Sequence, residues 1–104
     1  MIICNYNNIL YKLGRNAKEN FIIIDEADGE DWWFHLDDFP SGHCIVECFD
    51  LTNEIKQFAG SLIKNYSKYK DKKNIKIVYT QIKNITKTKK LGEVIITNSN
   101  YFFM

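Results

Sequence analysis

Four side chains in one short stretch can do chemistry: His35, His43, Cys44 and Cys48. Imidazole nitrogens and thiolates are the ligands zinc prefers, and zinc sites usually draw on closely spaced pairs. No CxxC or HxxxH pair occurs here, and Cys44 and Cys48 stand on one face of a single strand. The cysteines read as small core residues, and no metal and no cofactor are expected. The two histidines can move protons; they can equally donate hydrogen bonds to a phosphate or base, or brace a turn. Ser41-Gly42-His43 lacks the partner pattern of a nucleophile. A second set suits phosphate. Gly14-Arg15-Asn16 with Lys18 offers backbone donors, one guanidinium and amide side chains, although a single glycine does not make a phosphate loop. The third set is a lysine field with Tyr66, Tyr69 and Tyr79 interleaved. It runs from Lys64 and Lys68 through Lys70, Lys72, Lys73 and Lys76 to Lys83, Lys87, Lys89 and Lys90. Rings stack on bases while lysines neutralise phosphates, a combination that suits RNA. A solvated lysine face is the plainer reading of the same residues.

The histidines need two strands to bring them together. Trp32 to Leu36 is aromatic and apolar, which suits a half-buried strand. Trp33 and His35 then share one face, and Trp32, Phe34 and Leu36 the other. Pro40-Ser41-Gly42 is turn chemistry, and His43 begins a second strand that runs to Phe49. A short turn places His35 beside His43. Upstream, Ile9 to Leu13 reads as a strand, Gly14 to Asn20 as a loop or short helical turn, and Phe21 to Ile24 as a buried strand or strand-like insertion. Asp25 to Asp31 reads as a solvated acidic loop; it lacks the ligand offsets of a calcium loop.

One helix is clear. Leu51, Ile55, Phe58, Ala59, Leu62, Ile63 and Tyr66 make a single apolar helical face. Asp50 or Thr52 supplies the cap and Glu54 faces the positive end of the dipole. The helix runs to Tyr66 or Lys68. Lys76 to Thr80 is a strand with Ile77 and Tyr79 on one face, continuing toward Ile82 and Ile85. A basic turn at Thr86 to Lys90, a strand at Glu93 to Thr97, a turn at Asn98 to Asn100 and a strand at Tyr101 to Phe103 complete the order. Strands, one helix, then strands imply an α+β domain, with a mainly antiparallel sheet and one principal amphipathic helix packed on one face.

Length and composition set the bounds. A chain of 104 residues is one domain, 1–104. No apolar run exceeds the four residues of Phe21 to Ile24, far short of a membrane span. Its first residues lack the basic and hydrophobic regions of a secretory signal. Three cysteines argue for a reducing compartment, hence a cytoplasmic location. Net charge is +1 but unevenly spread: residues 1–55 hold three basic and eleven acidic residues, net −8, and residues 56–104 hold eleven lysines against two acidic residues, net +9. Such asymmetry suggests a surface that faces a polyanion.

The ordered motifs resemble the NFACT-R domain, the RNA-binding domain of NFACT ribosome quality-control proteins. The resemblance rests on Gly14-Arg15-Asn16 and Asn20, Asp31-Trp32-Trp33-Phe34-His35, Pro40-Ser41-Gly42-His43, the helical Ala59, Ser67-Lys68, Val78-Tyr79-Thr80 and Gly92-Glu93-Val94. It departs from the family at Ser41-Gly42, where Gly then Ser is commoner, and at Leu91, where Pro is common. The N-terminal domain, helix-hairpin-helix region and coiled coil of full NFACT proteins are not among these residues. The resemblance therefore implies a stand-alone, non-enzymatic RNA-binding module, with tRNA or rRNA as partner. Its expected contacts are Arg15, Asn16, Lys18, His35, His43, Lys68, Tyr79, Lys83, Lys87, Lys89 and Lys90. Two alternatives stand beside it: a module docking on a ribosomal or translation-factor protein, and a small RNA-processing enzyme centred on His35 and His43.

Overall fold

Asn7 and Asn8 both take positive φ, 50° and 64°. Two successive left-handed residues make the turn whose twist matches antiparallel strands, and asparagine tolerates that region better than most residues. The turn joins β1 (Ile2–Tyr6) to β2 (Ile9–Leu13). The computed structural model describes residues 1–104. After β2 come α1 (Ala17–Glu26), β3 (Trp32–Leu36), β4 (Cys44–Glu47), α2 (Asn53–Asn65), β5 (Lys76–Gln81), β6 (Ile85–Lys87), β7 (Val94–Ile96) and β8 (Asn100–Phe103). Six strands form one antiparallel sheet in the order β1-β2-β4-β3-β5-β8, and β6 pairs with β7 in a separate ribbon.

Alternation along β3 divides the interior in two. Phe34 and Leu36 point to one face, where Tyr11, Leu13, Cys44, Val46 and Ile77 meet Ile55, Ala59 and Ile63 of α2. Trp33 points to the other, where Ile45 and Val78 meet Ile23 and Ile24 of α1, with Ile82, Ile85, Val94 and Ile96 packed around them. The domain thus has three layers: α2, the six-stranded sheet, and α1 with the β6–β7 ribbon. Thr52 caps α2 by accepting from the Ile55 amide at 3.2 Å. Each large side chain buried by α2 contributes roughly 1.5–3 kcal/mol.

Four stretches correct the sequence reading. The architecture is α+β and mainly antiparallel, but two helices cover opposite faces where one helix on one face was expected. The second helix is α1, in place of the expected loop and Phe21–Ile24 strand. Asn16 caps it, its side chain accepting from the Glu19 amide at 2.9 Å, while Glu19 Oε1 accepts from the Arg15 amide at 3.0 Å. This is a near relative of the reciprocal capping box. Its buried residues, Asn20, Ile23 and Ile24, follow helical spacing. Four consecutive apolar residues carry no period of their own, so the run masked the face. The acidic loop shrinks accordingly, because α1 continues to Glu26. β1 lies where no strand was read. Finally, β5 does not continue through Ile82 and Ile85. A short 3₁₀ turn at Ile82–Asn84 intervenes, held as the Ile82 and Lys83 amides donate to Asp31 O and Gly29 O at 2.9 and 3.0 Å. The chain then folds over the Trp33 face.

Candidate nucleic-acid interface

Three elements are tied together at one end of the sheet. The Gly14 amide, at the exit of β2, donates to His43 O at 3.0 Å. The His43 amide donates to Asn20 Oδ1 of α1 at 3.0 Å. Asn20 is buried, and its amide oxygen is the reason a polar side chain sits on the inner face of α1. A Cβ on Gly42 would collide with the Gly14 carbonyl oxygen, so the loop before β4 can approach β2 this closely only with glycine there. Ser41 Oγ accepts from the Leu36 amide at 3.2 Å and donates to Gly42 O at 3.1 Å, which fixes the other side of the loop.

These ties set His43 against His35. Their rings lie 5.0 Å apart, edge to face. Trp33 stacks on His35 at 5.7 Å and meets His43 edge-on at 5.2 Å. Burial pushes the His43 imidazole down to about 3, with neighbouring His35 adding to the effect. Burial also lowers His35, opposed by the Ser41 backbone and Asp37. Both are therefore neutral near pH 7, each able to donate one hydrogen bond and accept another. His43 Nδ1 and Trp33 Nε1 have no hydrogen-bond partner within the protein.

The two histidines line a depression of about 320 Å³ together with Arg15, Asn16, Asn20, Ser41, Lys90 and Glu93. Gly92, at φ 83°, shapes its far wall, where the β6–β7 loop rests on Ala17. A second depression of about 540 Å³ adjoins it through Arg15, Pro40 and Ser41, and continues to Tyr66, Ser67, Lys68 and Tyr69. Arg15 is exposed, makes no ion pair and stands over the Tyr66 ring at 5.8 Å.

The structure thus gathers Arg15, Asn16, His35, His43, Lys68 and Lys90 from the sequence-based set. Lys18 and Lys89 are exposed nearby but line neither depression. Lys83 and Lys87 are engaged elsewhere, with Glu30 at 3.2 Å and Asp25 at 2.5 Å. Tyr79 faces α2: it packs on Phe34 at 5.4 Å, under Lys56, away from both depressions. Lining residues absent from that set include Asn20, Tyr66, Tyr69 and Gly92. The spacing Asn16-x-x-Glu19 was the signal that would have revealed α1, and with it the inward position of Asn20.

No three His, Cys, Asp or Glu side chains converge as metal ligands would. The cysteines are free; burial raises the Cys44 thiol and takes Cys48 up to about 11. No helix is long and apolar enough to cross a membrane.

Comparison with known proteins adds three findings. Residues 2–101 match the family described as NFACT protein RNA binding domain. A relative, the Rqc2 homolog RqcH of Bacillus subtilis (strain 168), is 25% identical over 76 residues, which are 72% of this chain and 13% of that protein. The chain therefore corresponds to a small part of that relative. The fold is shared with the C-terminal part of the fibronectin/fibrinogen-binding protein from Streptococcus suis. The TM-score is 0.88 at 20% identity, over 97% of this chain and 44% of the other.

Proposed function

The chain belongs to the family of NFACT protein RNA binding domains, and from that premise we propose that it is a non-enzymatic module that binds tRNA or ribosome-associated RNA in the cytoplasm. The observation that carries this reading is the pair of adjoining depressions, with unpaired Arg15 at their junction and Lys68 and Lys90 on either side. Cations of this kind neutralise phosphates, whereas the neutral histidines supply hydrogen bonds that suit base edges and 2′-hydroxyls. A histidine held near 3 is a poor general base at neutral pH, where catalysis favours values close to the working pH. That supports binding over turnover. Three free cysteines agree with a reducing compartment.

Fluorescence anisotropy against tRNA and an unstructured RNA tests the reading. Affinity should fall steeply between about 50 and 200 mM salt, with a logarithmic slope of about −2 if three cations contact phosphates. A salt-independent affinity, or no binding at low salt, would count against it.

A second reading, docking on a ribosomal or translation-factor protein, is favoured by edge strand β8, where Tyr101 and Phe103 are exposed. Such a partner should stay bound after nuclease treatment and be released by Phe103→Asp. Loss of the partner on nuclease treatment alone would leave RNA as the link.

A further inference from the structure

The two depressions differ in lining and charge, and the difference specifies how RNA is held. The first is floored by buried groups: Asn20 is 6% exposed and His43 4%. Its polar groups are mostly neutral; on its wall Lys90 and Glu93 stand 4.0 Å apart and offset one another, and the Glu93 carboxylate offers an acceptor to a base amino group. The second is wider and carries rings. Tyr66 is 53% exposed, and Tyr69 packs against Phe39 at 4.5 Å. Arg15 belongs to both depressions.

Resting on the RNA-binding reading above, we propose that the joined depressions form a trough for unpaired RNA. One base enters the pocket floored by Asn20 and His43, the next phosphate sits on Arg15, and a neighbouring base stacks against Tyr66. The chemistry follows from the parts. A base edge can satisfy the unpartnered His43 Nδ1 and accept from the free Asn16 amide N–H groups without bringing charge beside Glu93. Arg15 can meet a phosphate oxygen with two N–H groups while its plane remains near the Tyr66 ring. A base in an A-form duplex cannot do this: the duplex offers its shallow groove and backbone, and its bases stay stacked and paired. Duplex readers work through phosphate contacts spread over an extended surface. Here two of the lysines that could extend such a surface, Lys83 and Lys87, are paired with Glu30 and Asp25.

The test is anisotropy at low salt with a labelled, unstructured RNA oligonucleotide and with the blunt duplex it forms with its complement, on the wild type, Tyr66→Ala and Tyr66→Phe. The single strand should bind about tenfold more tightly than the duplex. Tyr66→Ala should weaken single-strand binding about tenfold, the loss expected for one stacked base. Tyr66→Phe, which keeps the ring, should recover the single-strand affinity, and Tyr66→Ala should weaken the duplex by less than it weakens the single strand. Because Tyr66 is half exposed at the end of α2, Tyr66→Ala should fold, and far-UV circular dichroism checks this. A duplex bound as tightly as the single strand, or a Tyr66→Ala variant with unchanged single-strand affinity, would overturn the trough and leave RNA binding standing. Failure of oligonucleotide, duplex and tRNA alike would overturn the RNA reading itself.

Discussion

At the scale of single residues, Asn20 and His43 join structure to site. Asn20 Oδ1 is the acceptor for the buried His43 amide. Asn20→Ala leaves that amide unpaired in the interior, a loss of about 1–3 kcal/mol. Urea denaturation should show it, and RNA affinity should fall as well because the His43 ring loses its anchor. His43 also gives a pH signature. An unfolded histidine titrates near about 6.5, and burial pushes this one down to about 3. Between those values the unfolded chain takes up a proton that the folded chain refuses. Stability therefore falls as pH drops below about 6.5, by up to about 1.4 kcal/mol per pH unit for one such group. His35, held low by its own burial, contributes with the same sign. His43→Phe should flatten the profile between about pH 6.5 and pH 4. An unchanged profile would mean that His43 is protonated in the folded state.

At the scale of elements, the two helices place different things. α1 carries Asn16 and Ala17 to the first depression and Asn20 to its floor, while the C-terminal end of α2 delivers Tyr66 to the second. Asn16 and Thr52 make equivalent N-caps, each accepting from an amide three residues on. Replacing either with alanine should lower stability by about 1 kcal/mol. Their effects on RNA should part. Thr52 lies at the far end of a 13-residue helix, about 20 Å from Tyr66, so Thr52→Ala should leave affinity unchanged. Asn16→Ala frays the helix end that lines the pocket and should weaken binding. Equal affinities for the two variants would detach α1 from the site.

At the scale of the whole molecule, folding redistributes the charge that sequence order separates. Lys76, Lys83 and Lys87 of the basic half pair with Asp37, Glu30 and Asp25 of the acidic half. Exposed pairs of this kind contribute little to stability, about 0–1 kcal/mol, but they remove those lysines from the pool that faces a polyanion. Lys68 has no such partner, and Lys90 only Glu93 at 4.0 Å. Lys68→Ala and Lys90→Ala should each weaken RNA binding and make the salt slope shallower by about 0.7. Lys83→Ala should change neither by a comparable amount. A salt series that ranks Lys83 and Lys87 with Lys68 would show that the ion pairs open on binding.

Local patterns in the sequence determine much of this. The α2 face from Leu51 to Tyr66, the alternation of Trp32 to Leu36, and the nearness of His35 and His43 follow from period and turn chemistry, which act over a few residues. The motif order from Gly14-Arg15-Asn16 to Gly92-Glu93-Val94 likewise carried the family. Other features were not legible there. α1 was hidden because Phe21 to Ile24 fits a helix or a strand equally well, and only packing against Trp33, Ile45 and Val78 selects the helix. The neutral state of His43 depends on neighbours brought from three different elements. The division of the lysines into paired and free depends on contacts such as that of Asp25 with Lys87, 62 residues apart in the chain. Desolvation and charge pairing act through space and not along the chain, so the chemistry of the site was settled by the tertiary fold.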